Sequence, residues 1–204
     1  MKKEIIANDG DEYNIVVRRK IKKWYYNSEE NLNKAVERIM SVRTTIRKLL
    51  EEVRKEVNSE EMNRGVNNVL RYLDQSGFYY RASSAHGHHI FPGGLAEHCL
   101  GVCNKALDMG KNKYHRKSLI ISGLFHDICK ADRFYFLGRR ILHHRRSGTE
   151  HSPRSVEILK QCKFPLEPME KNAIQWHMHY NLAKRHPFAL IIFLADKKDA
   201  KRHK

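Results

Sequence analysis

A chain of 204 residues is long enough to bury a core, and its 41% hydrophobic and 30% charged residues exclude a disordered or collagen-like protein. Its 39 basic residues outnumber its 23 acidic ones, and the resulting formal net charge of +16 favours phosphate-rich partners. We predict no membrane partner and a cytoplasmic location, because no apolar run approaches the roughly 20 residues that span a bilayer and the amino terminus lacks a signal-peptide core.

The first 77 residues are predicted to form a mostly helical N-terminal extension, residues 1–77. Residues 13–17 (YNIVV) are a short β-like stretch, and one long amphipathic helix is predicted over residues 28–57, with a serine as its N-cap. Ser59 caps a second helix that Gly77 ends. The extension either packs on its own domain or pairs with another chain, so a homo-oligomer stays open.

The second domain, residues 78–204, opens with a loop rich in glycine, histidine and serine and a helix over residues 95–109. The next helix, residues 118–129, is apolar on nearly every face, which predicts the buried centre of the fold. It ends in His126 and Asp127. Two ionisable side chains at the end of a buried helix need partners, and a metal ion would supply one.

The last third continues the helical pattern. Residues 133–146 alternate aromatic, aliphatic and basic side chains, which fits a small β-hairpin or a mobile lid. A serine-proline pair begins another helix, with His151 just ahead of it, and a further helix covers residues 168–177. The final apolar helix begins at Pro187 and contains Asp196. The predicted fold class is therefore all-α, with the hairpin near residues 133–146 as its one β element.

Four of these residues form a pattern typical of a metal site. Metal-assisted hydrolysis needs imidazoles and carboxylates that converge from different helices and leave room for water. His98 lies on one helix, the pair His126 and Asp127 on the next, and Asp196 on the last. Neighbouring helical residues point about 100° apart, so the pair can reach one ion only at a helix end. One histidine alone is more often a core residue, and the prediction depends on the whole set.

The same order of residues resembles the HD-domain superfamily of metal-dependent phosphohydrolases. Two motifs strengthen the resemblance: HHIFPGGLAEH at residues 88–98 and GLFHDICK at residues 123–130. Both are most similar to the branch that contains bacterial 3′-to-5′ exoribonucleases. The resemblance extends over residues 85–200 and implies that residues 78–204 form an HD-type helical bundle.

The resemblance also implies the ligands and the metal. Family members with two ions add histidines between the HD pair and the last aspartate, and His151 and His177 stand in matching places. The implied cofactor is one or two divalent transition-metal ions, with manganese, iron, nickel, cobalt and zinc all acceptable to such ligands. The implied metal ligands are His98, His126, Asp127, His151, His177 and Asp196.

The mechanism that the resemblance implies is attack on phosphorus by a metal-activated water. Asp127 orients that water, and Lys130, about one helical turn further on, steadies a phosphate oxygen or the developing charge. Histidines in the loop contact the substrate or a second metal, or are merely exposed, and arginine suits bidentate contact with phosphate. The candidate substrate-binding residues are His88, His89, Lys130, Arg133, Arg139 and Arg140.

The leading hypothesis is a phosphohydrolase or phosphodiesterase acting on a nucleotide or single-stranded nucleic acid. Residues 131–204 contain 16 basic and 7 acidic residues, so the positive charge lies downstream of the site. A nuclease would show a steep salt dependence, and a nucleotidase would not. The alternatives are a nucleotide- or nucleic-acid-binding protein with a structural or regulatory metal, which the intact ligand set disfavours, and a di-iron oxygenase, which the basic surroundings disfavour.

Overall fold

The computed structural model describes residues 10–22, 28–84, 88–132, 134–137, 140–143 and 151–202. Within these ranges the chain forms nine α-helices, one 3₁₀-helix and one pair of strands. The α-helices are α1 (Gly10–Lys22), α2 (Glu29–Val57), α3 (Glu60–Ser76), α4 (Gly94–Gly110), α5 (Arg116–Phe125), α6 (His151–Gln161), α7 (Pro168–Trp176), α8 (Tyr180–Ala183) and α9 (Pro187–Arg202).

The two strands form the small hairpin predicted near residues 133–146. Strand β1 (Phe134–Leu137) runs antiparallel to β2 (Arg140–His143), and the register pairs the first residue of each with the last residue of the other. Everything else that is regular in the described residues is helical. The predicted all-α fold class is confirmed, with this hairpin as its β element.

The ends of α2 and α3 agree with the capping residues in the sequence. The Ser28 side chain accepts a hydrogen bond from the backbone N–H of Asn31 at 3.3 Å, and Ser59 does the same for Met62 at 3.2 Å. Gly77 ends α3 with a φ of 90°, which a glycine adopts without a steric cost. The predicted helices over residues 28–57 and after Ser59 are therefore confirmed.

The prediction of a β-like stretch at residues 13–17 is wrong, because these residues lie inside α1. Val17 and Ile21 are four residues apart, and both are buried, so a helix places them on one face against the core. The Tyr13 ring meets the edge of the Tyr79 ring, with centroids 6.1 Å apart. Packing against the rest of the protein outweighs the weak β preference of isoleucine and valine.

Helix α5 is the buried centre of the bundle, as its apolar sequence predicts. All its residues from Ser118 to Phe125 are buried, and α4 packs along it. The two helices approach closely, since a Cβ atom added to Gly123 would lie 2.5 Å from the Cα atom of Cys103. The predicted extent of α5 to residue 129 is wrong, because the α-helix ends at Phe125. A turn follows, and then the 3₁₀-helix Ile128–Asp132.

The N-terminal helices share one core with the rest of the protein. Buried residues of α2 and α3, such as Leu50 and Val69, belong to the same apolar cluster as Cys99 of α4 and Ile121 of α5. The division of the chain after residue 77 into two domains stays a prediction. None of the helices in the described ranges is long and apolar enough to cross a membrane.

Candidate metal centre

Three buried imidazoles from different parts of the sequence meet in the bundle. His98 lies on α4, His126 follows the last residue of α5, and His177 follows the last residue of α7. The Nε2 atoms of His98 and His126 are 3.3 Å apart, and the ring centroids of His126 and His177 are 4.8 Å apart. None of the three side chains is accessible to solvent.

Two carboxylates complete this cluster. Asp196 of α9 places Oδ1 3.2 Å from Nε2 of His98. Asp127 places Oδ2 3.4 Å from Nε2 of His126 and Oδ1 3.5 Å from Nε2 of His177. The candidate ligand atoms form two overlapping groups, each with all its atoms within 4.8 Å of one another, and His126 belongs to both. The structure thus brings together five of the six residues predicted as metal ligands.

Each of the three imidazoles uses its Nδ1 atom to hold the ring in place. The Nδ1 partners are oxygens of a carboxylate or a backbone carbonyl, which only accept, so Nδ1 carries the proton and donates it. In a neutral ring the Nε2 atom then keeps its lone pair, which it presents to the cluster, and metal-binding histidines are usually held this way. The Nδ1 bonds are His98 to Asp199 Oδ2 (2.8 Å), His126 to Gly123 O (2.9 Å) and His177 to Ile174 O (2.7 Å).

Asp199 is a functional residue that the sequence analysis missed. Its buried carboxylate accepts the hydrogen bond from His98 and a second one from Lys105 Nζ at 2.6 Å. Gly101 of α4 leaves the space for it, because an added Cβ atom would overlap Asp199 Oδ1. A signal was present in the sequence, since Asp199 follows Asp196 by three residues and therefore shares its face of α9.

Lys130 and Asp127 form an ion pair at the edge of the centre. Lys130 Nζ donates to Asp127 Oδ2 at 2.6 Å. Burial raises the pKa of Asp127, but the charges of Lys130 and His126 outweigh burial and hold the pKa well below its usual range. Burial lowers the pKa of Lys130, and the attraction of Asp127 more than reverses this. Both side chains are therefore charged at neutral pH.

The two loop histidines lie against the centre rather than in solvent. The half-buried His88 ring is 4.7 Å from the ring of His98, and its Nε2 atom has no hydrogen-bond partner within the described part of the chain. Burial lowers the pKa of His88 to about 4, so its ring is neutral at pH 7. His89 is buried and places Nε2 3.6 Å from Asp199 Oδ2. Ser83 holds this loop by donating its hydroxyl to the carbonyl oxygen of His88 at 2.9 Å.

Four predicted site residues stay predictions. Arg133 and Arg139 lie outside the described residues. Arg140 belongs to β2 and His151 is the first residue of α6, rather than lying just ahead of that helix, but the side chains of both also lie outside what the structure describes. Helix α6 itself contacts the centre, because the Ser155 hydroxyl donates to the carbonyl oxygen of the histidine in the HD pair at 2.9 Å.

Metal affinity is expected to rise with pH to an upper limit above pH 6.5. Burial lowers the pKa of His98, but its hydrogen bonds with Asp196 and Asp199 outweigh burial and raise the pKa above the ordinary 6.5. Below that raised pKa a proton occupies Nε2 and competes with the metal, so the affinity should change by about tenfold per pH unit. Titration with Zn²⁺ or Mn²⁺ from pH 5.5 to 9 measures this. A plateau already reached at or below pH 6.5 would contradict the predicted effect of the two carboxylates.

Comparison with known families agrees with this arrangement of residues. Residues 95–201, just over half of the chain, match the family model described as HD domain. The matched segment begins in α4 and ends in α9, and it contains all five clustered side chains together with Asp199. No curated protein and no solved structure gives a significant match.

Proposed function

Because the chain belongs to the HD domain family, we propose that it is a metal-dependent phosphohydrolase or phosphodiesterase that acts on a nucleotide or nucleic acid. The observation that carries this proposal is the convergence of three imidazole Nε2 atoms and two carboxylates, with every imidazole Nδ1 engaged elsewhere. The high positive charge of the chain supports a phosphate-bearing substrate.

The residues in the centre fit a divalent transition metal. Imidazole nitrogen and carboxylate oxygen together suit manganese, iron, cobalt, nickel and zinc. A buried cluster of carboxylates and imidazoles is costly without a charge partner, and a divalent cation supplies one. The proposed ligands are His98, His126, Asp127, His177 and Asp196, with His151 as a further candidate. Elemental analysis distinguishes one ion from two.

Three side chains divide the remaining work of the proposed reaction. The bound ion would supply the Lewis acidity that makes water nucleophilic at neutral pH. Asp127, which its low pKa keeps deprotonated, accepts a hydrogen bond from the attacking water and orients it. Lys130 donates to a phosphate oxygen and compensates negative charge as it develops. His88 is neutral at pH 7, so it contributes an N–H donor to the substrate without adding a positive charge.

The proposal is tested by elemental analysis and by hydrolysis of bis(p-nitrophenyl) phosphate after metal reconstitution. We expect bound transition metal and turnover that EDTA abolishes, and we expect Asp127→Asn to remove the turnover. Asp108→Asn on the exposed side of α4 is the matched control and should be as active as the unmodified protein.

Two results would overturn the proposal. A protein that binds no transition metal at any pH from 6 to 9 would show that the centre is not a metal site. Metal binding without turnover of this substrate, mononucleotides or oligonucleotides would identify a binding protein instead.

A further inference from the structure

Two aromatic side chains form an exposed surface beside the metal centre. Tyr180 of α8 is 55% exposed, and its ring centroid lies 5.5 Å from that of Phe193 of α9. Tyr180 follows His177 by three residues, and Phe193 precedes Asp196 by three, which is less than one helical turn. The aromatic pair is therefore carried by the same two segments that supply two of the proposed metal ligands.

Each aromatic ring has its own lysine. Lys184 Nζ lies 5.6 Å from the centroid of Tyr180, and Lys197 Nζ lies 5.5 Å from the centroid of Phe193. Both lysines are exposed to solvent. A cation is weakly held above an aromatic face in water, so both ammonium groups can turn to an anion without breaking a salt bridge.

The charge of this part of the chain has a single sign at the surface. The sequence from residue 171 to residue 204 has eight basic residues and two acidic ones. The two acidic residues are Asp196 and Asp199, and both are buried in the centre. The surface that α8 and α9 present therefore carries only positive formal charge within the described residues.

A single-stranded nucleic acid matches this combination of features. Unpaired bases stack on exposed aromatic faces, and the backbone phosphates bind to neighbouring lysines. A duplex hides the faces of its bases, and a mononucleotide has only one base for two rings. We propose that single-stranded nucleic acid is the substrate class of the centre, and that Tyr180, Phe193, Lys184 and Lys197 form the surface that binds the strand. This rests on the proposed function and names its substrate.

Fluorescence anisotropy with a 12-nucleotide fluorescein-labelled oligo(dT), and with the matching oligo(U), tests this surface. EDTA is present, so that the strand is not cut. We expect the unmodified protein to bind both strands and a blunt duplex of the same length less tightly. Tyr180→Ala should weaken binding of the single strands at least about fivefold through the loss of stacking.

The lysines are tested by the salt dependence of binding. Replacing Lys184 and Lys197 together with glutamine should reduce the slope of log K against log[salt] by about 1.4, since each phosphate contact on a single strand contributes about 0.7. The matched control replaces Lys111 and Lys113, which are exposed in the turn after α4, and should keep the full slope unless they also contact the strand. The lysine variants keep the test decisive even if Tyr180→Ala fails to fold.

Three outcomes would overturn the inference. The first is no binding of either strand by the unmodified protein, and the second is equal binding by the surface variants and the control. The third is a dimer in sedimentation experiments that Tyr180→Ala dissociates, because the aromatic pair would then bind a second copy of the chain. Hydrolysis of bis(p-nitrophenyl) phosphate by the unmodified protein separates this failure from failure of the proposed function, since that small diester has no base to stack.

Discussion

Replacing Asp127 with asparagine is expected to destabilise the metal-free protein by about 3 kcal/mol or more, in addition to abolishing hydrolysis. Asp127 is buried, and the side chain of Lys130 is only 12% exposed, with 2.6 Å between Nζ and Oδ2. A neutral asparagine leaves the ammonium group largely desolvated and without its charge partner. Urea denaturation in EDTA measures the change in the free energy of unfolding without a contribution from bound metal.

A double variant separates the two effects of this substitution. Asp127→Asn combined with Lys130→Met removes both charges, so most of the lost stability should return. Hydrolysis should stay absent, because the carboxylate that orients water is still missing. If Asp127→Asn alone leaves the free energy of unfolding unchanged, or if the double variant is no more stable, the ion pair does not have the energetic role given to it here.

Replacing Asp199 with asparagine is expected to lower metal affinity by about 10- to 100-fold, although Asp199 is not a proposed ligand. Its carboxylate accepts the Nδ1 hydrogen bond of His98 and thereby fixes the ring so that Nε2 faces the cluster. Asparagine lacks the negative charge that makes the imidazole a stronger donor to a metal. Competition with a chromophoric chelator for Zn²⁺ or Mn²⁺ measures the affinity directly.

A second substitution perturbs the same carboxylate from the opposite side. Gly101→Ala introduces a Cβ atom that overlaps Asp199 Oδ1, so the carboxylate must move and the affinity should again fall. Asp108→Asn repeats the chemical change on the exposed side of α4 and should have no effect on metal binding. Unchanged affinity in both Asp199→Asn and Gly101→Ala would show that His98 does not depend on this contact.

Features that depend on neighbouring residues were predictable from the sequence. Ser28 and Ser59 cap their helices because a serine hydroxyl reaches backbone N–H groups three residues ahead, and Gly77 ends α3 because it adopts a positive φ. These interactions need no knowledge of the rest of the fold. The approach of His98 to the HD pair and Asp196 was predictable for another reason, since a motif recorded their order along the chain.

Features that depend on distant contacts were not predictable in the same way. The β-like pattern at residues 13–17 gave no sign that Val17 would be buried against α2 and its neighbours, and that burial determines the helix. Asp199 is 101 residues away from His98 in sequence, and the value of its carboxylate lies in the spaces that α4 leaves beside it. Only the packed bundle shows which of several carboxylates faces a given imidazole.

Helix α9 contributes to the centre in two ways, with Asp196 in the cluster and Asp199 behind His98. The centre is therefore complete only while α9 is docked on α4. An ion that binds the complete centre and not the open one must stabilise that docking by the same free energy, which grows with the logarithm of its concentration above the dissociation constant. Metal supply and the order of the C-terminal helix are thus thermodynamically linked, and the aromatic surface that α9 supports is ordered most firmly when the metal is present.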